Sequence, residues 1–386
     1  MLTNNESITP LQSTDRAAIQ KAIWLLAAVA LNAVELAIPR LPFLPWLKPG
    51  FANIITVLWI MKYGFGDALL YTALRVWISG FYFGFSLFTL TLSLSGGVLS
   101  TTAMFIVWTA LGRRGLTGTV GMAIVGALFH NVGQLAVIYI MMSRNMGVLG
   151  QIPFMLCAAV VFGGIVGALA PSAGRVLGFE AEGVGSIGTD SINTNRTKTA
   201  FPAKLIIAAT FAVSISLMFI NNLYVLISAV IIYSLVSFSL NLKKPSVLIY
   251  PIKFYTLFLF VAFTNLFFSY GKRIDAIPFI TEEGIIAFVK QSLRLWCWLQ
   301  TVHILNRFDF HKSFIGILYR FFPNKKDTLE AGMIALEHFP EVMKLSKSSK
   351  KFSVKTLITD PKAVLTGYVE MVTDRIARLN HKALKP

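Results

Sequence analysis

Nine polar side chains interrupt the apolar segments in the first half of this chain, and their types suit the binding of a small molecule. They are Asn32, Glu35, Asn53, Arg75, Ser95, Ser100, His130, Asn131 and Gln134. Charged and amide groups are costly to place in hydrocarbon, so such residues turn towards a cavity or towards one another. Residues three or four apart share one face of a helix, which pairs Asn32 with Glu35 and His130 with Gln134.

Two interpretations of this set remain open. In the first, the residues line a pocket near the middle of the membrane, where the planar guanidinium of Arg75 holds an anionic group while amides and hydroxyls orient the ligand. In the second, Arg75 only neutralises Glu35, and the amide side chains only join helices to one another.

Long apolar stretches must position these residues. Hydrophobic residues make up 55% of the chain and charged residues 14%, with a mean hydropathy of +0.67. A helix that crosses a bilayer needs roughly 20 mostly apolar residues. The first half contains six candidate spans: 19–38, 51–62, 66–83, 88–111, 119–142 and 152–172. The second and third are short and follow a proline-rich loop, which is typical of helices that break beside a cavity. Gly163 and Gly167 form a small-xxx-small pair, which indicates close helix packing.

A second apolar block follows a polar linker rich in Gly, Ser, Thr and Asn. Its candidate spans are 203–220, 223–240, 252–270 and 284–304. After Leu305 the apolar residues recur at helical spacing without a spanning run, which indicates amphipathic helices. The sequence thus predicts an all-α polytopic membrane protein with about six plus four transmembrane helices. Its parts are a polar tail (1–18), a six-span domain (19–174), a linker (175–202), a four-span domain (203–304) and a helical tail (305–386).

Charge predicts the orientation in the membrane. The net charge is +17, and short cytoplasmic loops collect Lys and Arg. Most loop cations, including Arg113, Arg114 and Arg175, fall on one side if the N-terminus is cytoplasmic. We therefore expect a multi-pass protein of the cytoplasmic membrane with both termini and the linker inside. The cations are spread over loops and tail, so membrane lipids are the expected partner and nucleic acid is not.

This topology predicts that cysteines introduced at positions 185 and 350 react only with reagents that reach the cytoplasm. Accessibility tagging of intact and of permeabilised cells measures this directly. Labelling of either position from outside intact cells would refute the proposed orientation.

Catalytic signatures are missing from the sequence. It has no GxxxxGK[ST] phosphate loop, no GxSxG or HExxH motif, and no aspartate-rich DDxxD segment. Cys157 and Cys297 lie in separate predicted spans, so neither a disulfide nor a cysteine metal site is expected. We therefore expect a protein that is not an enzyme and that needs no cofactor or metal. If it consumes ATP, the ATPase must be a separate partner.

Three ordered segments of the first half carry a family resemblance. They are PGFANIITVLWIMKYGFGDALLYTALRVWISG, SLSGGVLST and GALFHNVGQLAVIYI. Residues of about 18–174 resemble the Gx transporter family, which also bears the name heptaprenyl diphosphate synthase component I. The resemblance implies a substrate-binding S component of an energy-coupling factor (ECF) importer.

The second half, about 203–350, is similar to the T component of ECF transporters. The similarity rests on TEEGIIAFVKQSLRLWCWLQTVHILNRFDFHKSFIGILYRFF and the KKDTLEAGMIALEHFPEVMKLSKSSKK segment that follows it. It implies that Arg294 in the last span, Lys347 and Lys350 in LSKSSKK, and Arg375 and Arg378 in DRIARLN take part in coupling to ABC-type ATPase subunits.

Three hypotheses follow. The chain is an S–T fusion of an ECF-type importer that binds a small molecule, anionic or prenyl-linked, and is driven by separate ATPases. Alternatively, it is a membrane subunit that assists heptaprenyl (polyprenyl) diphosphate synthesis or holds prenyl lipids. The third hypothesis is an interaction scaffold whose basic tail recruits a cytoplasmic partner.

Overall fold

The fold is known from a computed structural model that describes residues 10–36, 49–83, 87–141, 146–177, 201–240, 248–267, 271–275, 277–306, 310–348 and 367. Eleven α-helices lie in this part of the chain. They are α1 (Pro10–Leu36), α2 (Asn53–Phe83), α3 (Leu87–Ala110), α4 (Thr119–Met141), α5 (Ile152–Val176), α6 (Phe201–Ser216), α7 (Leu223–Leu240), α8 (Tyr255–Phe267), α9 (Glu282–Asn306), α10 (Phe310–Phe321) and α11 (Lys326–Ser348). The predicted all-α, polytopic fold class is confirmed.

Five of the described helical segments are long and apolar enough to cross a membrane. They are Asn53–Tyr82, Leu87–Arg114, Thr119–Met141, Val148–Arg175 and Leu223–Leu240. The predicted spans in α1, α6 and α8 correspond to the shorter apolar helices Ala17–Ala33, Leu205–Ser216 and Leu257–Phe267. Helix α9 is not among them, because its charged residues interrupt the apolar run. The predicted count of ten spans therefore stays a prediction.

The short second and third predicted spans are the two parts of α2, which bends at Gly64. The backbone there has φ 79° and ψ −171°, a conformation that L side chains rarely adopt and glycine tolerates. The first part, 53–63, is about 16 Å long at 1.5 Å per residue, about half of what a bilayer core requires. The predicted break between the two segments lies at Gly64, where the two helical parts of α2 meet at a kink.

Helices α3, α4 and α5 pack closely because glycines lie where they meet. A Cβ atom on Gly163 would lie 2.6 Å from the Cα of Ile124, and one on Gly167 would collide with the Cα of Val120. The hydroxyl of Thr119 also donates a hydrogen bond to the Gly167 carbonyl, at 2.8 Å. The structure thus confirms the predicted packing role of Gly163 and Gly167 and places it at the α4–α5 contact.

Replacing Gly167 with alanine is therefore expected to lower the stability by about 1–3 kcal/mol, because the new methyl group would push two backbones apart. Gly164→Ala is the matched control, since a Cβ there has no neighbour within 4 Å. Thermal unfolding of the two purified variants measures the difference. Equal thermal unfolding midpoints for Gly167→Ala and Gly164→Ala would show that α4 and α5 can move apart without a loss of stability.

A buried arginine connects two helices of the second half. Arg294 of α9 is 1% exposed. Its guanidinium donates to the carbonyl oxygens of Leu217 and Ile220 and to Asn221 Oδ1, at 3.1, 2.7 and 3.0 Å. These acceptors follow the C-terminal end of α6, where the last carbonyls of a helix lack partners. Arg294 therefore joins α9 to α6 from inside the bundle.

A short hairpin precedes α9. Strand β1 (Arg273–Ile274) pairs antiparallel with β2 (Ile277–Thr281). The first turn of α9 closes onto this hairpin, since Glu283 Oε2 accepts a hydrogen bond from the Lys272 amide at 2.9 Å.

The two halves of the chain pack against each other through several of the described helices. Phe88 of α3 lies over Trp298 of α9, with ring centroids 6.2 Å apart. The ring of Phe314 in α10 stacks on Trp77 of α2 at 3.8 Å. Helix α11 lies on α1 and α2, where Phe339 is fully buried. Of the predicted amphipathic tail helices, α10 and α11 thus place apolar residues against the first half; the part of the tail from 349 onwards lies almost entirely outside the described residues.

Candidate functional site

The bend in α2 brings together side chains that a straight helix would keep apart. Trp59 and Tyr71 are twelve residues apart, which is about 18 Å along a continuous helix. Their rings nevertheless stack with centroids 4.3 Å apart. The two parts of α2 therefore turn towards each other around Gly64, and both rings are fully buried.

Arg75 lies on the same face as this aromatic stack. Tyr71, Arg75 and Ser79 follow one another at intervals of four residues, so their side chains project from one side of α2. Arg75 is 7% exposed and Ser79 is 6% exposed. Burying a guanidinium to this extent is costly without compensating contacts. The burial of Arg75 therefore needs a compensating partner, either from the protein or from a ligand.

Several buried polar atoms around this face have no hydrogen-bond partner among the described residues. They are Trp59 Nε1, Arg75 Nε, Ser79 Oγ and Ser100 Oγ, whereas the Tyr71 hydroxyl and the Thr56 side chain bond to each other. More than nine in ten buried polar groups in proteins are paired, so a group of unpaired ones needs an explanation. Every atom in this group can donate a hydrogen bond. The arrangement is suited to a ligand with several acceptor oxygens and a negative charge.

Glu35 makes a backbone contact at the start of α2, and its predicted pairing with Arg75 stays a prediction. It is 5% exposed, and its Oε1 accepts a hydrogen bond from the Ala52 amide at 3.0 Å. Ala52 immediately precedes α2, where backbone amides lack intrahelical partners. Glu35 thus ties the end of α1 to the start of α2. Asn53, the first residue of α2, and Asn32 of α1 are both half-buried.

Two of the predicted site residues, Asn131 of α4 and Ser95 of α3, form hydrogen bonds with backbone carbonyls. Asn131 Nδ2 donates to the Met155 carbonyl of α5 at 2.8 Å. Ser95 Oγ of α3 donates to the carbonyls of Leu92 and Gly133, at 3.1 Å each. For Asn131 and Ser95 the structure therefore favours the interpretation in which polar groups join helices.

His130 and Gln134 share a face, as predicted. His130 Nε2 lies 3.1 Å from Gln134 Nε2, so the imidazole nitrogen accepts this bond, and Gln134 is 4% exposed. A Cβ atom on Gly96 of α3 would touch the His130 ring at 3.0 Å.

Helix α3 lies between the α2 and α4 residues of the predicted site. A Cβ atom on Gly97 would meet Thr72 of α2, whereas one on Gly96 would meet His130 of α4. Thr72 also shares a hydrogen bond with Thr101 of α3 at 2.9 Å. Of the predicted site residues on these helices, Arg75 of α2 and Ser100 of α3 are buried. A single cavity that joins Arg75 with His130 stays a prediction.

A buried ionic cluster that sequence reasoning missed joins α1, α2 and the α10–α11 turn. Asp67 Oδ1 accepts from Lys21 Nζ at 3.2 Å and from the Thr328 hydroxyl, and Asp67 Oδ2 accepts from Lys325 Nζ. Lys21 also donates to Thr328 Oγ1 at 2.8 Å. The rule that drew attention to Arg75, an ionisable residue inside an apolar segment, applies equally to Lys21 and Asp67 and would have found them.

The predicted coupling residues are placed only in part. Arg294 lies inside the second half, as described above, and Lys347 belongs to the last turn of α11. Lys350, Arg375 and Arg378 lie outside the described residues. Among the residues that the structure does describe, no three His, Cys, Asp or Glu side chains are grouped to hold a metal ion.

This geometry defines a helical membrane protein with a donor-rich buried face in its first half. The family described as heptaprenyl diphosphate synthase component I has a model that matches residues 25–172. The match covers α2, α3 and α4 completely, together with the C-terminal part of α1 and most of α5. It is thus the first half of the chain that is similar to this family. Neither the curated proteins nor the solved structures contain a match to this chain.

Proposed function

We propose that the chain is the membrane component of an ECF-type importer. In this proposal the first half binds the substrate, and the second half connects it to separate ABC-type ATPase subunits. The observation that carries the proposal is the contact of α10 and α11 with α1 and α2, because it places the end of the second half directly on the substrate-binding half.

The substrate class follows from the α2 face. Unpaired guanidinium, hydroxyl and indole donors lie on or beside this face, and among the described residues no buried carboxylate oxygen is unpaired. Charge-assisted hydrogen bonds to a carboxylate or phosphate are roughly twice as strong as neutral ones. A compact anion, alone or as the head group of a longer molecule, is the ligand that this face would bind best.

Fusion of the two halves has a physical advantage in this proposal. A linker converts their association into an intramolecular event with a high effective concentration. The contacts of Phe88 with Trp298 and of Trp77 with Phe314 then need to supply little affinity of their own.

The second candidate function is a membrane subunit that assists polyprenyl diphosphate synthesis. The family match of residues 25–172 favours it. A diphosphate head group would satisfy the same donors on α2, so the two candidates differ chiefly in their protein partners.

Affinity purification from native membranes in mild detergent, followed by mass spectrometry of the retained proteins, separates the two candidates. The importer proposal expects a pair of ABC-type ATPase subunits, or two copies of one. Retention of a soluble prenyl diphosphate synthase subunit without any ATPase would favour the second candidate and contradict the first.

A further inference from the structure

The ionic cluster around Asp67 contains one carboxylate and two lysines from different parts of the chain. Lys21 belongs to α1, and Asp67 follows the Gly64 bend of α2 by three residues, so both lie within the first half. Lys325 and Thr328 come from the turn into α11 and from its first residues. One carboxylate oxygen faces Lys325 alone, while the other is shared by Lys21 and Thr328.

Burial differs between the two lysines. The side chains of Lys21 and Asp67 are 8% and 6% exposed, whereas that of Lys325 is 38% exposed. The pair within the first half is thus enclosed, and the cation supplied by the second half reaches the surface.

This asymmetry determines what would happen if α11 moved away. Removing one partner of a buried ion pair is strongly unfavourable when it leaves an uncompensated charge. Departure of α11 would remove Lys325 and Thr328, but Lys21 would stay beside Asp67. The carboxylate would therefore have a cation in both states, and α11 could leave without exposing Asp67 as a lone buried charge.

Small residues form part of the remaining contact between α11 and the first half. Ala22 of α1 and Ala331 of α11 are fully buried in one apolar cluster. A Cβ atom on Gly332 would meet Leu74 of α2 at 2.8 Å. The contact is therefore close, and it also buries two large side chains of α11, Leu329 and Phe339.

We propose that α11 docks reversibly on α1 and α2, with Asp67 paired to both Lys325 and Lys21 in the docked state and to Lys21 alone in the released state. The inference rests on the proposed function in one respect, since it regards α11 as the segment through which the second half acts on the first. Because Asp67 lies between the Gly64 bend and Arg75 on α2, docking of α11 would also set the orientation of the segment that carries Arg75.

The test measures how often the buried face of α11 becomes accessible. A single cysteine replaces Ala331 in a Cys157→Ser, Cys297→Ala background, and the rate of maleimide labelling is followed in membrane vesicles. Lys325→Met should raise this rate severalfold, because only the docked state loses an ion pair. Lys21→Met should lower it severalfold, because release of α11 would now leave Asp67 without a cation.

Two controls accompany this measurement. Lys326→Met removes a neighbouring lysine that pairs with Glu330 on the surface at 3.5 Å, and it should leave the rate unchanged. A second reporter, Ala170→Cys, lies fully buried in α5 and should stay unlabelled in every variant, which shows that the first half remains folded.

Opposite effects of the two lysine substitutions support reversible docking. The proposal is overturned if both substitutions raise the rate, if neither changes it, or if either one exposes the Ala170→Cys reporter. Any of these results would make the cluster a fixed structural element. The assay involves no ATPase, so its outcome is independent of whether the importer proposal succeeds.

Discussion

Purified Arg75→Ala protein is expected to lose the anionic small molecule that the unmodified protein retains. A buried guanidinium contributes charge-assisted hydrogen bonds, each worth about 1.5–3 kcal/mol, so losing two of them reduces affinity by roughly two orders of magnitude or more. Uptake of this ligand by cells that carry Arg75→Ala should be abolished, while the variant protein still inserts into the membrane. Mass spectrometry of small molecules released from the two purified proteins measures the loss.

Two further variants show whether the effect belongs to this site. Arg75→Lys keeps the charge but not the planar fork, and it should retain the ligand weakly. Arg113→Ala removes an exposed arginine of the loop after α3 and should change nothing. Unchanged retention in Arg75→Ala would make Arg75 a structural residue and would return the site to the helix-joining interpretation.

Deletion of residues 341–386 is expected to release the ATPase subunits completely while leaving the membrane part folded. The contacts that hold α11 on the first half come from residues before the deletion: Thr328 on Asp67, Gly332 beside Leu74, and the Leu336 carbonyl, which accepts a hydrogen bond from Tyr82. In the proposal, the basic segment that follows α11 binds the ATPase subunits. Affinity purification of both forms, with quantification of co-purified ATPase, gives the result.

A protein lacking residues 2–9 is the matched control, because it also loses a polar terminal segment yet should keep its partners. The truncated protein should still retain its small molecule. Equal ATPase retention in full-length and truncated protein would place the coupling surface elsewhere in the chain.

The sequence predicted the helical segments well, because apolar length and glycine placement are properties of single segments. The break between 62 and 66 followed from two segments that were each too short to span, and Gly64 is where the structure bends. Gly163 and Gly167 were identified as packing residues from their spacing alone, and both lie against the α4 backbone.

The candidate site was predicted less completely, because its geometry depends on how separate helices meet. Arg75 stood out as a charge in an apolar run, but Tyr71, Trp59 and Thr56 looked like ordinary core residues. They join the site only because the bend turns the first part of α2 towards the second. Asn131 shows the converse: its amide suits a ligand, but its Nδ2 donates a hydrogen bond to the neighbouring carbonyl of Met155.

The ionic cluster could not be derived from spacing at all. Lys21 and Thr328 are 307 positions apart in the chain, and no local pattern connects them. Periodicity predicted that α11 would bury an apolar side, and the structure shows that this side, with Ala331 and Phe339, lies on α1 and α2.

The central claim, that this chain is the membrane component of an importer, is tested most directly by transport in a defined system. The chain and the ATPase subunits that co-purify with it are reconstituted into lipid vesicles together with the radiolabelled small molecule that the purified protein retains. The account predicts accumulation inside the vesicles that requires ATP hydrolysis and that disappears with Arg75→Ala. Binding of the ligand without ATP-dependent accumulation, in a complex that hydrolyses ATP, would contradict it.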